Sequence, residues 1–173
     1  LLAASAFQLH AFVNSAPLYL RFAQAADLQW LAPVFWVGFN LAMLPAGWAA
    51  RRFGPWRVLV AAGLAAALAA WLAQLTSSLP VLLVAQLAAG AAWACLLMSA
   101  FSAALALGHT GREGRFGGAL SSVLAGAALA RMAVLALEWQ KDPAALSLLG
   151  WAPVAGWLLA GGLLWWAARR AVP

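Results

Sequence analysis

The chain has 173 residues, of which 66% are hydrophobic and 8% charged, against roughly 25% charged in an ordinary soluble domain. That composition excludes a water-soluble fold. The net charge of +6 sits in short turns with no basic face or aromatic RNA motif, which excludes a nucleic-acid partner, and the single cysteine, Cys95, excludes an internal disulfide or a thiolate metal cluster.

Six apolar runs are each long enough, at about 1.5 Å per residue, to cross a hydrocarbon core of about 30 Å. They cover 1–20, 28–50, 58–76, 81–107, 116–137 and 148–168. Backbone groups cannot go unpaired in lipid, and alanine- and leucine-rich runs without period-two alternation exclude a closed barrel. The sequence therefore predicts an all-α membrane protein, a single six-helix transmembrane bundle over 1–173.

The first span carries His10, Asn14 and Pro17 at spacings of four and three, one polar stripe that a helix can bend at, with Gln8 on another face. Leu1 already belongs to it, without the charged start and cleavage site of a signal peptide, so the chain is expected to be part of something longer. Asp27 precedes the second span, and Pro17, Pro33, Pro45 and Pro153 lie within spans, where they are expected to kink helices.

Between the second and third spans runs Gly47-Trp-Ala-Ala-Arg51-Arg52-Phe-Gly54-Pro-Trp-Arg57. After Ser77-Ser78-Leu79-Pro80, the fourth span carries Gln86, Gly90, Trp93, Leu97 and Phe101 on one face. Ser99 and Ser102 can bond their own helix carbonyls. Beyond the turn at 108–114, the fifth span spaces Gly118, Ser122 and Gly126 four apart, a stripe that lets another helix approach closely. Arg131 follows about 22 Å along from Phe116, in the outer half, where it either snorkels, pairs with Glu138 on the same face, or faces a watery cavity. Lys141-Asp142-Pro143 leads into the sixth span.

Of the eleven tryptophans, Trp30, Trp48, Trp56, Trp139, Trp151 and Trp166 fall near span ends, as in the belt that indoles form at headgroup level. One side of the membrane receives Arg51, Arg52, Arg57, Arg112, Arg115, Arg169 and Arg170, and the other only Arg21 and Lys141. Basic residues are retained on the cytoplasmic side, so both termini are expected there, in a bacterial inner (cytoplasmic) membrane.

The turn from Gly47 to Arg57 resembles the signature loop of the major facilitator superfamily, which reads glycine, three residues, acid, arginine, one residue, glycine and a basic pair. Gly47, Arg52 and Gly54 match in spacing, Arg57 supplies a late basic residue, and Arg51 stands where the acid would be. Loss of that acid resembles the second-half copy of the motif, and Gln86-Leu-Ala-Ala-Gly90 is similar to a fourth-span motif with glutamine in place of arginine. The resemblance implies a carboxy-terminal six-helix half of a secondary transporter, with an amino-terminal half or another membrane subunit as partner.

On that resemblance the first and fourth spans line a central pathway, which makes His10, Asn14, Gln86 and Trp93 candidates for substrate contact. Arg131 becomes the candidate for attracting an anionic solute, and the Gly118, Ser122, Gly126 stripe lies at the boundary between halves. His10 can equally be a neutral histidine hydrogen-bonded between helices, and most of the fourth-span stripe can be packing. No paired histidine motif, serine and base arrangement or buried carboxylate is present, so no enzyme, cofactor or metal is expected. The expected function is alternating-access transport of a small organic, possibly anionic, solute through the lipid bilayer; a non-transporting structural or assembly subunit on the same fold is the alternative.

Overall fold

The computed structural model describes residues 1–109 and 111–171, apart from the side chains at 168, 170 and 171. The Arg170 side chain used in the charge count above thus lies outside the described residues, as does Thr110. Among those described there is no strand, and helices fill the chain. The first rod, α1 (2–19), is assembled from Leu2–Gln8, a π-helical Leu9–Asn14 and Ser15–Tyr19. Then come α2 (Val34–Phe53), α3 (Pro55–Leu75), α4 (Leu79–Gly108), α5 (Glu113–Ala136) and α6 (Pro143–Ala171). The last five are long and apolar enough to cross a membrane. α1 matches a span in length, but Gln8, His10 and Asn14 dilute its hydropathy.

Prolines mark several of the ends. Pro55, Pro80 and Pro143 sit in first turns, where a missing N–H costs nothing because no carbonyl precedes it in the helix. Pro33 separates a short turn, Leu28–Leu31, from α2, so the expected kink there is a break. Pro45 and Pro153 stay inside continuous helices. Pro17 follows the π segment of α1; it offers no N–H to the Val13 carbonyl, and the widened turn just before it relieves the crowding. α2 passes to α3 through one residue, Gly54, whose φ of 85° suits glycine because it has no Cβ.

Polar side chains close the opposite end. Arg21 donates to the carbonyls of Gln74 (3.1 Å), Ala73 (3.4 Å) and Thr76, satisfying α3's last carbonyls with a cation at the negative end of its dipole. Asp142 accepts from the Ala144 N–H at the start of α6.

Small residues set the helix crossings. A methyl group at Gly90 of α4 would overlap the Phe35 carbonyl of α2, and one at Gly38 would overlap the Leu87 carbonyl. The two backbones touch reciprocally, the close approach that drives association where lipid is as apolar as leucine. α3 meets α6 less tightly, with Gly63 facing Gly161 where a methyl group would make ordinary contact, and α1 meets α6 where Ala6 faces Gly156. α4 thus packs on α2 and α3, α1 packs on α5 and α6, and α3 packs on α6. Exchanging the first three helices for the last three maps these pairings onto themselves, whereas the α4–α5 and α2–α3 contacts have no counterpart of comparable extent among the described residues. Consecutive helices joined by short connections run antiparallel, so α1 and α4 point in opposite directions under that exchange.

α5 is the exception in burial: Ala127 is its only buried residue. A methyl group at Gly117, Gly118 or Gly126 would meet nothing within 4 Å. The stripe expected to admit a close neighbour is therefore uncovered by any helix of this bundle.

Gly38→Ala and Gly90→Ala should each lower unfolding free energy in detergent by about 1–3 kcal/mol, the usual range for overpacking. Gly117→Ala should be neutral or stabilise by up to about 1 kcal/mol through helix propensity. Equal behaviour of all three in a denaturant titration would show that the α2–α4 crossing is not the tight contact described.

Candidate functional site

Four of the five pathway candidates meet inside the bundle. In α1 the π segment turns His10, Val13 and Asn14 toward the interior. His10 and Gln86 are both fully buried, and His10 Nε2–H donates to Gln86 Oε1 across 3.0 Å. With the proton on Nε2, Nδ1 is left as an acceptor without a partner, and Gln86 Nε2 likewise lacks one. The imidazole lies against Phe35 and Trp157. One turn along α1, Asn14 Nδ2 donates to the Leu149 carbonyl of α6 at 2.8 Å.

Trp93 is also buried, stacked on Phe7 with ring centroids 4.2 Å apart and planes 5° from parallel. Its indole face is occupied by a ring of its own chain. Trp93, Leu96, Trp56, Leu2, Phe116 and Leu164 help to line a cavity of about 480 Å³ whose walls are apolar throughout. Ser99 is buried with its hydroxyl unpaired, whereas Ser102 Oγ donates to the Met98 carbonyl.

Arg131 stands apart from this cluster. It projects from α5 over the ring of Phe12 on α1, with Cζ 4.5 Å from the centroid, and donates weakly to Met132 Sδ. Its Nε is buried without a partner. Glu138 lies past the end of α5 and pairs with Lys141, so the pairing of Glu138 with Arg131 considered from sequence does not form. Phe12 is about 15 Å along its helix from Leu2, half the span of a hydrocarbon core of about 30 Å. A helical side chain leans toward the N-terminus of its own helix, and the Arg131 guanidinium accordingly reaches the Phe12 ring from the middle of α5.

Around that guanidinium lies a face that the bundle leaves open. Phe12 is 46% exposed and Trp36 of α2 is 38% exposed, their rings 6.0 Å apart. Phe7 joins them edge-on and continues to Trp93, so aromatic rings run from the open face into the core. Asn40, one turn beyond Trp36, is exposed and donates to the Trp36 carbonyl at 2.7 Å. Phe12, Trp36 and Asn40 escaped the sequence reading. The available signal was an intramembrane arginine without a carboxylate, which calls for aromatic or polar neighbours at similar depth.

The remaining predicted positions are peripheral. Arg51 and Arg52 occupy the last turn of α2, favourable at the negative end of its dipole. Together with Arg57 they are exposed, beyond Gly47 and the one-residue turn at Gly54. On α5, Ser122 Oγ donates to the Gly118 carbonyl at 3.0 Å, so its hydroxyl is spent within the helix, while Gly126 lies open. No group of three or more metal-binding side chains occurs among the described residues.

Interhelical hydrogen bonds in bilayers couple by about 0.6 kcal/mol on average and about 1.7 at most. A double-mutant cycle with His10→Ala and Gln86→Ala, read by unfolding in detergent, should return a coupling in that range. A coupling of zero would remove the pair as a determinant of the core.

Comparison with protein-family models, with curated proteins and with solved structures yields no match, and the chemistry of the open face must be read from its own side chains.

Proposed function

We propose that this bundle is the carboxy-terminal half of a secondary transporter of major facilitator type, and that it carries a small organic anion through a bacterial inner membrane by alternating access. Both termini then face the cytoplasm with the arginine turns. Neither a catalysed reaction nor a cofactor forms part of this reading.

One observation carries it: Arg131 is held over Phe12, about halfway along α1, with no carboxylate partner among the described residues. On insertion scales an arginine at a helix centre costs about 2.5–3.5 kcal/mol. A carboxylate or phosphate solute between the halves compensates that charge directly, and Phe12 and Trp36 supply apolar surface for the rest of a small organic molecule. The helix pairings add support, since the exchange of α1–α3 with α4–α6 fits the inverted three-helix repeats nested in such halves. The uncovered face of α1, α2 and α5 fits the side that a second bundle rocks against.

A second reading has an observation of its own. His10 and Gln86 are sealed in the core and the cavity beside Trp93 is wholly apolar, which suits a structural or assembly subunit that moves nothing.

The test is uptake by the full-length protein in proteoliposomes, using labelled mono- and dicarboxylates and organic phosphates. Arg131→Gln should reduce uptake at least tenfold, Arg131→Lys should retain part of it, and Arg112→Gln in the turn before α5 should leave it unchanged. Normal uptake by Arg131→Gln would overturn the site. Absence of uptake for every solute, together with a membrane protein that co-purifies stoichiometrically, would establish the assembly reading in its place.

A further inference from the structure

A groove of about 650 Å³, which Arg131 does not line, lies between α2, α3 and α4. Its floor is alanine: Ala61 and Ala65 on α3, with Ala88 and Ala91 on α4. Helices that present only methyl groups at successive turns leave a trough between them. At one end stand Phe53 and Arg57, in the arginine turn. We propose that this groove binds an anionic glycerophospholipid, with an acyl chain over the alanines and the phosphate on Arg57.

Length, polarity and charge favour that occupant. From Arg57 to Ala65 the groove follows α3 for about 12 Å, less than half of a core of about 30 Å, so it belongs to one leaflet. The walls suit a hydrocarbon chain and offer an alcohol or amide nothing to bond.

Arg57 makes no hydrogen bond or ion pair with any described residue, and neither do Arg51 and Arg52. No acid lies between Gly47 and Arg57. The turn thus holds three uncompensated guanidinium groups where headgroups lie, and guanidinium matches phosphate in geometry as well as charge. Basic pockets between spanning helices recognise anionic headgroups for this reason. A second copy of the chain would fill the alanines but has to bring a carboxylate to Arg57. This inference rests on the helices crossing a bilayer and is independent of transport.

The experiment is native mass spectrometry of the purified full-length protein in neutral detergent, with phosphatidylglycerol and phosphatidylcholine of identical acyl chains. The wild type should prefer phosphatidylglycerol about fivefold, the size of effect one arginine has near a headgroup. Arg57→Gln should abolish that preference, and Arg112→Gln should keep it. Ala65→Leu and Ala88→Leu, both at exposed positions, should reduce retention of both lipids by filling the trough. Equal retention of the two lipids by the wild type, an intact preference in Arg57→Gln, or undiminished lipid in both leucine variants would each overturn the proposal. A leucine variant that dissociates a dimer without changing lipid retention would also overturn it, and would identify the groove as a contact between copies.

Discussion

The backbone crossing of α2 and α4 governs the rest of the bundle. Gly38 and Gly90 bring the two helices together until carbonyl oxygens occupy the space of side chains, and that contact fixes the rotation of α4. Gln86 lies four residues before Gly90 and Trp93 three after it, so both turn inward on the same stripe. They meet α1 through His10 and Phe7. The position of α1 in turn sets Phe12 under Arg131. A methyl group at either glycine would therefore act on a site two helices away.

Lipid changes which contacts can do this. Helices in a bilayer gain little from burying leucine against leucine, and close approach of small residues or shared hydrogen bonds decides who neighbours whom. The interior accordingly holds alanine and glycine at the α3–α4 and α3–α6 contacts, with Asn14, Gln74 and Trp157 each donating to a backbone carbonyl across a helix boundary. Large side chains such as Leu44, Trp30 and Leu148 point outward. The inversion relative to a soluble domain is a direct consequence of the solvent. It also explains why a small-residue stripe such as Gly118, Ser122 and Gly126 is conspicuous when nothing covers it.

Much of the architecture was legible in the sequence because length and hydropathy act on whole spans. The six runs and their breaks correspond to α1–α6, displaced by a few residues where polar first and last turns stay helical, as at Glu113 and Arg51-Arg52. Side-chain environment was less legible. The periodicity that put His10 and Asn14 on one stripe could not say whether that stripe met a cavity or Gln86, because the partner is 76 residues away. Gly38 gave no local signal, since a glycine in an apolar run reads alike whether it faces lipid or a carbonyl. The π segment before Pro17 was equally hidden, as it depends on how the chain relieves one lost hydrogen bond.

The chain's arginines divide by depth, and that division constrains function more than their number. Those in the turns can reach water or headgroups and carry no internal penalty. Arg131 starts deeper along its helix, and among the described residues its compensation is a ring contact worth about 0.5–2 kcal/mol, below the insertion cost of about 2.5–3.5 kcal/mol for an arginine at a helix centre. The shortfall is about 0.5–3 kcal/mol, and Met132 Sδ is a weak acceptor. On the proposed reading, a solute or a partner helix with negative charge or several hydrogen-bond acceptors on the open side of Phe12 would close that difference. Water meets that need only if the face is wet, and an anion meets it whether or not water is present. On the proposed function the same geometry would join stability to binding, because an arginine that is costly in lipid is also suited to hold an anionic solute.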